Sequence, residues 1–173
     1  MKNILVTAIG SFAADIVIKE LKKNGYNVIG CDIYDKEWIA DSLNVNKFYK
    51  APYVINEKDY YEFIIEVCEN EKIDYIFPLT DVEVDFLAKV KDEFEKIGVC
   101  ICISDKKVID LARDKYKFVQ FLNSRKINNT IETRYLDDVN DEDIKFPCIV
   151  KPISGRSSQG LFKVEDKIDL LYI

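Results

Sequence analysis

The chain has 173 residues, 48% of them hydrophobic and 32% charged, with a formal net charge of −6. That composition suits a folded globular protein, and the acidic balance argues against a nucleic-acid backbone as partner, because there is no basic excess to release counterions. Histidine is absent, which removes histidine triads, histidine metal sites and histidine general bases, and with them most hydrolase chemistries.

The first hundred residues alternate strand and helix patterns. A continuous apolar run over 3–8 predicts a strand buried on both faces, and 12–21 predicts a helix with Ile16, Val17 and Leu21 on its inner stripe. Strands follow at 28–31 and Lys47–Lys50, a helix at 60–68 with Tyr61, Ile64, Ile65 and Cys68 inward, a strand at 74–78, a helix at 84–94 and a strand at 99–103. Alternation of this kind predicts right-handed crossovers and an open, doubly wound, mostly parallel α/β sheet. A boundary is expected near Ser104, giving domains 1–104 and 105–173. The second begins with helices at 106–111 and 115–122, the latter burying Phe118, Val119 and Leu122. A strand is expected at 130–136, then, over the acidic run 137–143, a solvated loop or a helix start. No apolar run approaches the ~18 residues of a membrane span. The five cysteines, Cys31, Cys68, Cys100, Cys102 and Cys148, sit mainly in apolar runs and are expected to pack as small hydrophobes in a reducing cytoplasm.

The segment 146–160 carries the most chemistry. An apolar strand leads into Lys151-Pro152, then into a small polar loop with Gly155, Arg156, Ser157, Ser158 and Gly160, then into a second strand over 161–165. Glycines let backbone N–H groups approach an anion, serines add donors and a lysine supplies a compact positive charge, so the hairpin suits phosphates. Pro152 biases Lys151 toward an extended conformation.

Asp114-Lys115 at a helix start, Phe146-Pro147, Lys151-Pro152, Gly155, Ser158 and Gly160 occur in the order and spacing of the ATP-grasp superfamily. The chain resembles the N-terminal portion of such ligases, the carbamoyl phosphate synthetase large chain in particular. The resemblance implies a Rossmann-like domain before a partial α+β ATP-grasp subdomain. It implies an ATP-dependent ligation through an acyl phosphate attacked by an amine, with Lys115, Lys151, Gly155, Ser157, Ser158 and Gly160 contacting the nucleotide and the loop closing as a lid. Only the first of two subdomains is recognised here. Magnesium and its carboxylate ligands are therefore expected outside these residues, and the chain alone is expected to be inactive. ATP and a small carboxylate are the expected partners, with room for a homodimer. Arg156 could pair with a phosphate, but family members vary there.

In the first domain, Gly10 and Ser11 follow strand one and Asp32 ends strand two, where a dinucleotide-binding fold keeps its G-x-G-x-x-G turn and ribose-binding acid. The fingerprint is degraded, with Ala8 and Ala13 at glycine positions. Thr80, Asp81 and Glu83 lie at the carboxyl end of the fourth strand, the position where open α/β sheets bind ligands, and with Gly10 and Ser11 they are the candidate substrate contacts. Asp81 can equally be a helix N-cap with Glu83 in the first turn. Two other readings stay open: a dinucleotide-binding oxidoreductase domain using Gly10 and Asp32, and a non-catalytic nucleotide-binding or interaction module.

Overall fold

The computed structural model describes residues 1–127, 129–155 and 157–173. Packing divides them into two compact units, Met1–Asp105 and Lys106–Ile173.

The first unit runs β1 (Asn3–Val6), α1 (Ala14–Lys23), β2 (Asn27–Asp32), β3 (Lys47–Lys50), α2 (Glu57–Glu71), β4 (Tyr75–Phe77), α3 (Asp81–Lys96) and β5 (Cys100–Ile101). Its sheet has the order β3-β2-β1-β4-β5, and every pairing in it is parallel. Alternation along β1 shows why the sheet is wound on both faces. Leu5 packs with Tyr60, Ile64, Phe86 and Leu87 from α2 and α3, whereas Ile4 and Val6 pack with Ala14 and Ile18 from α1. Successive strand side chains point to opposite faces, so one strand feeds two apolar layers. Each fully buried aliphatic side chain contributes roughly 1.5–3 kcal/mol through this burial.

Both amphipathic stripes are displaced from those expected. On α1 the inner residues are Ala14, Val17, Ile18 and Leu21, while Ile16 is 66% exposed. The observed set follows the i, i+3, i+4, i+7 rule, which Ile16 breaks. On α2 the buried residues are Tyr60, Ile64, Val67 and Cys68, and Tyr61 and Ile65 pack only at the edge of the core.

The second unit contains α4 (Lys106–Arg113), α5 (Lys115–Ser124), β6 (Cys148–Val150), β7 (Phe162–Val164) and α6 (Lys167–Leu170). β6 and β7 form an antiparallel hairpin with Val150 opposite Phe162. The strand expected at 130–136 does not form among the described residues: the hairpin is this unit's whole sheet, so 130–135 has no ladder to join. The acidic stretch makes two short 3₁₀ turns, Leu136–Asp138 and Asp141–Asp143. Nothing on α5 is fully buried, and Phe118, expected inside, is 40% exposed. The only fully buried apolar side chain of this unit among the described residues is Val164.

Two cysteine expectations also change. Cys31 and Cys68 are buried as expected, but Cys100 and Cys102 are exposed, because they flank Ile101 on the face opposite the core into which Ile101 points. No helix among the described residues is long and apolar enough to cross a membrane.

Candidate functional site

In the second unit, Lys115 and Lys151 line one cavity of about 1090 Å³. The local sequence explains their placement. Asp114 caps α5, its side chain accepting the N–H of Lys117 at 2.9 Å, so Lys115 occupies the first helical position. That N–H, together with the Lys117 ammonium, holds the Asp114 carboxyl below its ordinary value. Lys151 follows β6 directly, at the mouth of the hairpin. Tyr116 and Tyr135 line the same cavity, their ring centroids 4.1 Å apart.

The glycine loop is bound to the start of α5. The Lys115 N–H donates to the Ile153 carbonyl at 3.2 Å, and the Lys115 ammonium reaches the carbonyls of Ile153 and Gly155 at 3.3 and 3.4 Å. Its charge therefore rests on backbone oxygens that phosphate oxygens could replace. Ser157 and Ser158 both adopt positive φ, +53° and +56°, and Gly160 follows at +67°. At Gly160 a side chain is excluded twice, by this φ and because an added Cβ would lie 2.9 Å from Pro152 Cγ. Gly155 meets the same proline ring more loosely, at 3.4 Å. Arg156 lies outside the described residues.

The first unit's candidates lie at the carboxyl end of its sheet. The Asp32 carboxylate accepts the Gly10 N–H at 2.7 Å and the Tyr34 N–H at 3.1 Å, and Asp32 is 6% exposed. The acid thus closes the turn after β1 and takes the N–H a pyrophosphate would need. Gly10 is required for a matching reason: an added Cβ would lie 2.7 Å from Ile39 Cδ1 and 3.0 Å from Asp32 Oδ2. The Ser11 hydroxyl is buried beside this turn without a hydrogen-bond partner. In the degraded fingerprint the Gly10 N–H is thus already taken by Asp32, which counts against the dinucleotide reading.

Thr80 is the N-cap of α3 and Asp81 its first residue, so the cap expected of Asp81 belongs to Thr80. Asp81 is exposed, whereas Glu83 is only 5% exposed. Thr80 Oγ1 donates to Glu83 Oε2 at 2.6 Å and the Tyr60 hydroxyl to Oε1 at 2.8 Å. Burial raises the Glu83 carboxyl above its ordinary value, these hydroxyls oppose the rise, and the nearby Asp32 charge adds to it. Thr7 Oγ1 is fully buried next to this carboxylate, yet completes no hydrogen bond of good geometry. Tyr60, itself pushed far above an ordinary tyrosine by burial and by Glu83, was not legible as a site residue. Its apolar ring fits the core pattern, and only the fold brings its hydroxyl to an acid 23 residues away.

Among the described residues, no group of three or more His, Cys, Asp or Glu forms a cation site. The site residues thus divide into two sets: Lys115, Lys151, Gly155, Ser157, Ser158 and Gly160 in the second unit, and Thr80, Asp81, Glu83, Gly10 and Ser11 in the first.

Residues 4–102 match the model of the family described as PylC-like, N-terminal domain. The chain is 29% identical over 175 residues to a formate-dependent phosphoribosylglycinamide formyltransferase of Prochlorococcus marinus strain AS9601, covering 98% of this chain and 41% of that protein. It therefore spans well under half the length of this curated relative. Among solved structures it is similar to the biotin carboxylase domain dimer of Hydrogenobacter thermophilus 2-oxoglutarate carboxylase, in complex with MgADP, ADP and bicarbonate. There the TM-score is 0.75 at 21% identity, over 99% of this chain and 39% of that one. It is likewise similar to the L-amino acid ligase of Bacillus licheniformis, with a TM-score of 0.73 at 17% identity over 98% of this chain and 40% of that one. The doubly wound α/β fold and the resemblance to ATP-grasp ligases both hold, and since the family model spans more than half of its residues, the chain belongs to the PylC-like N-terminal domain family.

Proposed function

We propose that these residues form the N-terminal part of an ATP-dependent carboxylate-amine ligase, with 1–104 as the Rossmann-like domain and 105–173 as the first part of the nucleotide-binding module. The observation that carries this reading is that Lys115 and Lys151, 36 positions apart in sequence, line one cavity together with Pro152 and Gly160. Two ammonium groups and a turn with positive φ at Ser157, Ser158 and Gly160 supply charge and backbone donors for a triphosphate. In this scheme Lys115 exchanges the Ile153 and Gly155 carbonyls for phosphate oxygens, Lys151 fixes the nucleotide from the strand end, and the 155–160 loop excludes water. Thr80, Asp81, Glu83, Gly10 and Ser11 form the candidate acceptor-side contacts.

Magnesium would neutralise the developing phosphate charge when bound, but the described residues offer no carboxylate cluster for it. What these residues do is bind and orient. Similarity to a formyltransferase and to ligase and carboxylase folds supports the ligase class without singling out the carbamoyl phosphate synthetase large chain.

The test is a thermal-shift titration of the intact protein with Mg·ATP. A ligand that binds only the folded state raises the midpoint by mass action, about 2.7 kcal/mol at a hundredfold excess over Kd. Lys151→Ala is expected to abolish that shift while the unliganded midpoint stays in place. A full shift in the variant refutes the lysine's role.

A further inference from the structure

Cys100 opens β5, the outermost strand of the first unit's sheet, and Cys102 directly follows its last residue, Ile101. The Cys100 N–H donates to the Asp74 carbonyl at 2.9 Å and the Cys102 N–H to the Ile76 carbonyl at 2.8 Å. Both residues therefore keep one register against β4, and both side chains leave on one face. Ile101 between them takes the core face, 1% exposed. Both thiols are free and exposed. The Lys91 ammonium sits close by, 3.2 Å from the Ile103 carbonyl and 3.4 Å from Asp105.

Geometry selects what such a pair can hold. Two residues of strand span roughly 6.4–6.8 Å between Cα atoms, at the long end of disulfide geometry, where Cβ atoms must also approach to about 3.5–4.5 Å. A metal ion held in line between two thiolates asks only that the sulfurs stand roughly 4–5 Å apart, twice a metal–sulfur bond on the scale of the ~2.3 Å zinc–sulfur bond. Among the described residues no third cysteine, acid or histidine joins them, so a tetrahedral zinc site is not formed. Soft thiolates favour a soft monovalent ion.

We propose that Cys100 and Cys102 form a two-thiolate site for Cu(I). Each thiol releases one proton to solvent, two copper–sulfur bonds form, and the metal stays Cu(I) throughout. The resulting centre carries one net negative charge, which the Lys91 ammonium offsets.

The test presents the reduced full chain, without oxygen, to Cu(I) held as its coloured bicinchoninate complex. One Cu(I) per chain should be withdrawn. Cys100→Ser and Cys102→Ser should each weaken capture by more than the roughly 10–100-fold that losing an outer-shell partner costs, while Cys148→Ser leaves it unchanged. Far-UV circular dichroism checks the fold of each variant, and alkylating the exposed thiols of the unmodified sequence with N-ethylmaleimide should abolish capture independently of any substitution. Capture that survives either serine variant, or that halves in each as for two separate thiols, overturns the proposal.

Discussion

Tyr60→Phe tests whether the buried acid at the carboxyl end of the sheet is ionised and held by hydroxyls. The tyrosine is fully buried and its hydroxyl donates to Glu83 Oε1 at 2.8 Å. Phenylalanine keeps the ring, so the loss is the hydrogen bond and the stranded carboxylate oxygen. A hydrogen bond to a charged group contributes about 1.5–3 kcal/mol and one to a neutral group about 0.5–1.5. The Glu83 carboxyl titrates above its ordinary 4.5. Its contribution to stability is therefore complete below pH 4.5 and is lost as pH rises through the higher folded value. Urea titrations followed by circular dichroism should show Tyr60→Phe costing roughly 2 kcal/mol at pH 8, where the acid is charged, and about 1 kcal/mol at pH 4, where it is neutral. In a Glu83→Gln background the cost should fall to about 1 kcal/mol at both pH values. An equal loss at both pH values in the unmodified background refutes a charged, hydroxyl-held Glu83.

Gly160→Ala places a Cβ at φ +67° and 2.9 Å from Pro152 Cγ, and should cost about 1–3 kcal/mol and reduce the Mg·ATP thermal shift. Gly25→Ala, at φ +79° with nothing within 4 Å, should cost only about 1 kcal/mol and leave that shift intact; equal effects on it would deny the loop its part in binding. Gly10→Ala should destabilise the chain by about 1–3 kcal/mol through contact with Ile39, and NAD should give no protection in either form; an NAD-dependent thermal shift would restore the dinucleotide reading. Coupled-enzyme detection of ADP should show these 173 residues alone turning over ATP at background rate, and magnesium-dependent turnover lost in Lys151→Ala would require a second site.

Much of the molecule was legible in its residues. The alternation of apolar strands with helical stripes fixed a parallel α/β sheet, because burial on both faces demands continuous apolar runs such as Ile4-Leu5-Val6. The Asp114-Lys115 and Lys151-Pro152 motifs were legible because capping and pre-proline restriction act within a few residues. Tertiary structure decided the rest. The 130–136 run has strand-like residues but no neighbouring ladder, and strand propensity is realised only by pairing. Asp32 looked like a ligand-binding acid, yet the fold folds it back onto the Gly10 N–H. Cys100 and Cys102 read as core until the fold turned Ile101 inward and left both thiols on the opposite, exposed face. Tyr60 read as core, and is, but its hydroxyl serves Glu83. Local chemistry depends on neighbours in sequence, which the chain itself lists; whether a polar atom is spent on the protein or left for a ligand depends on contacts across many residues, which only the assembled fold supplies.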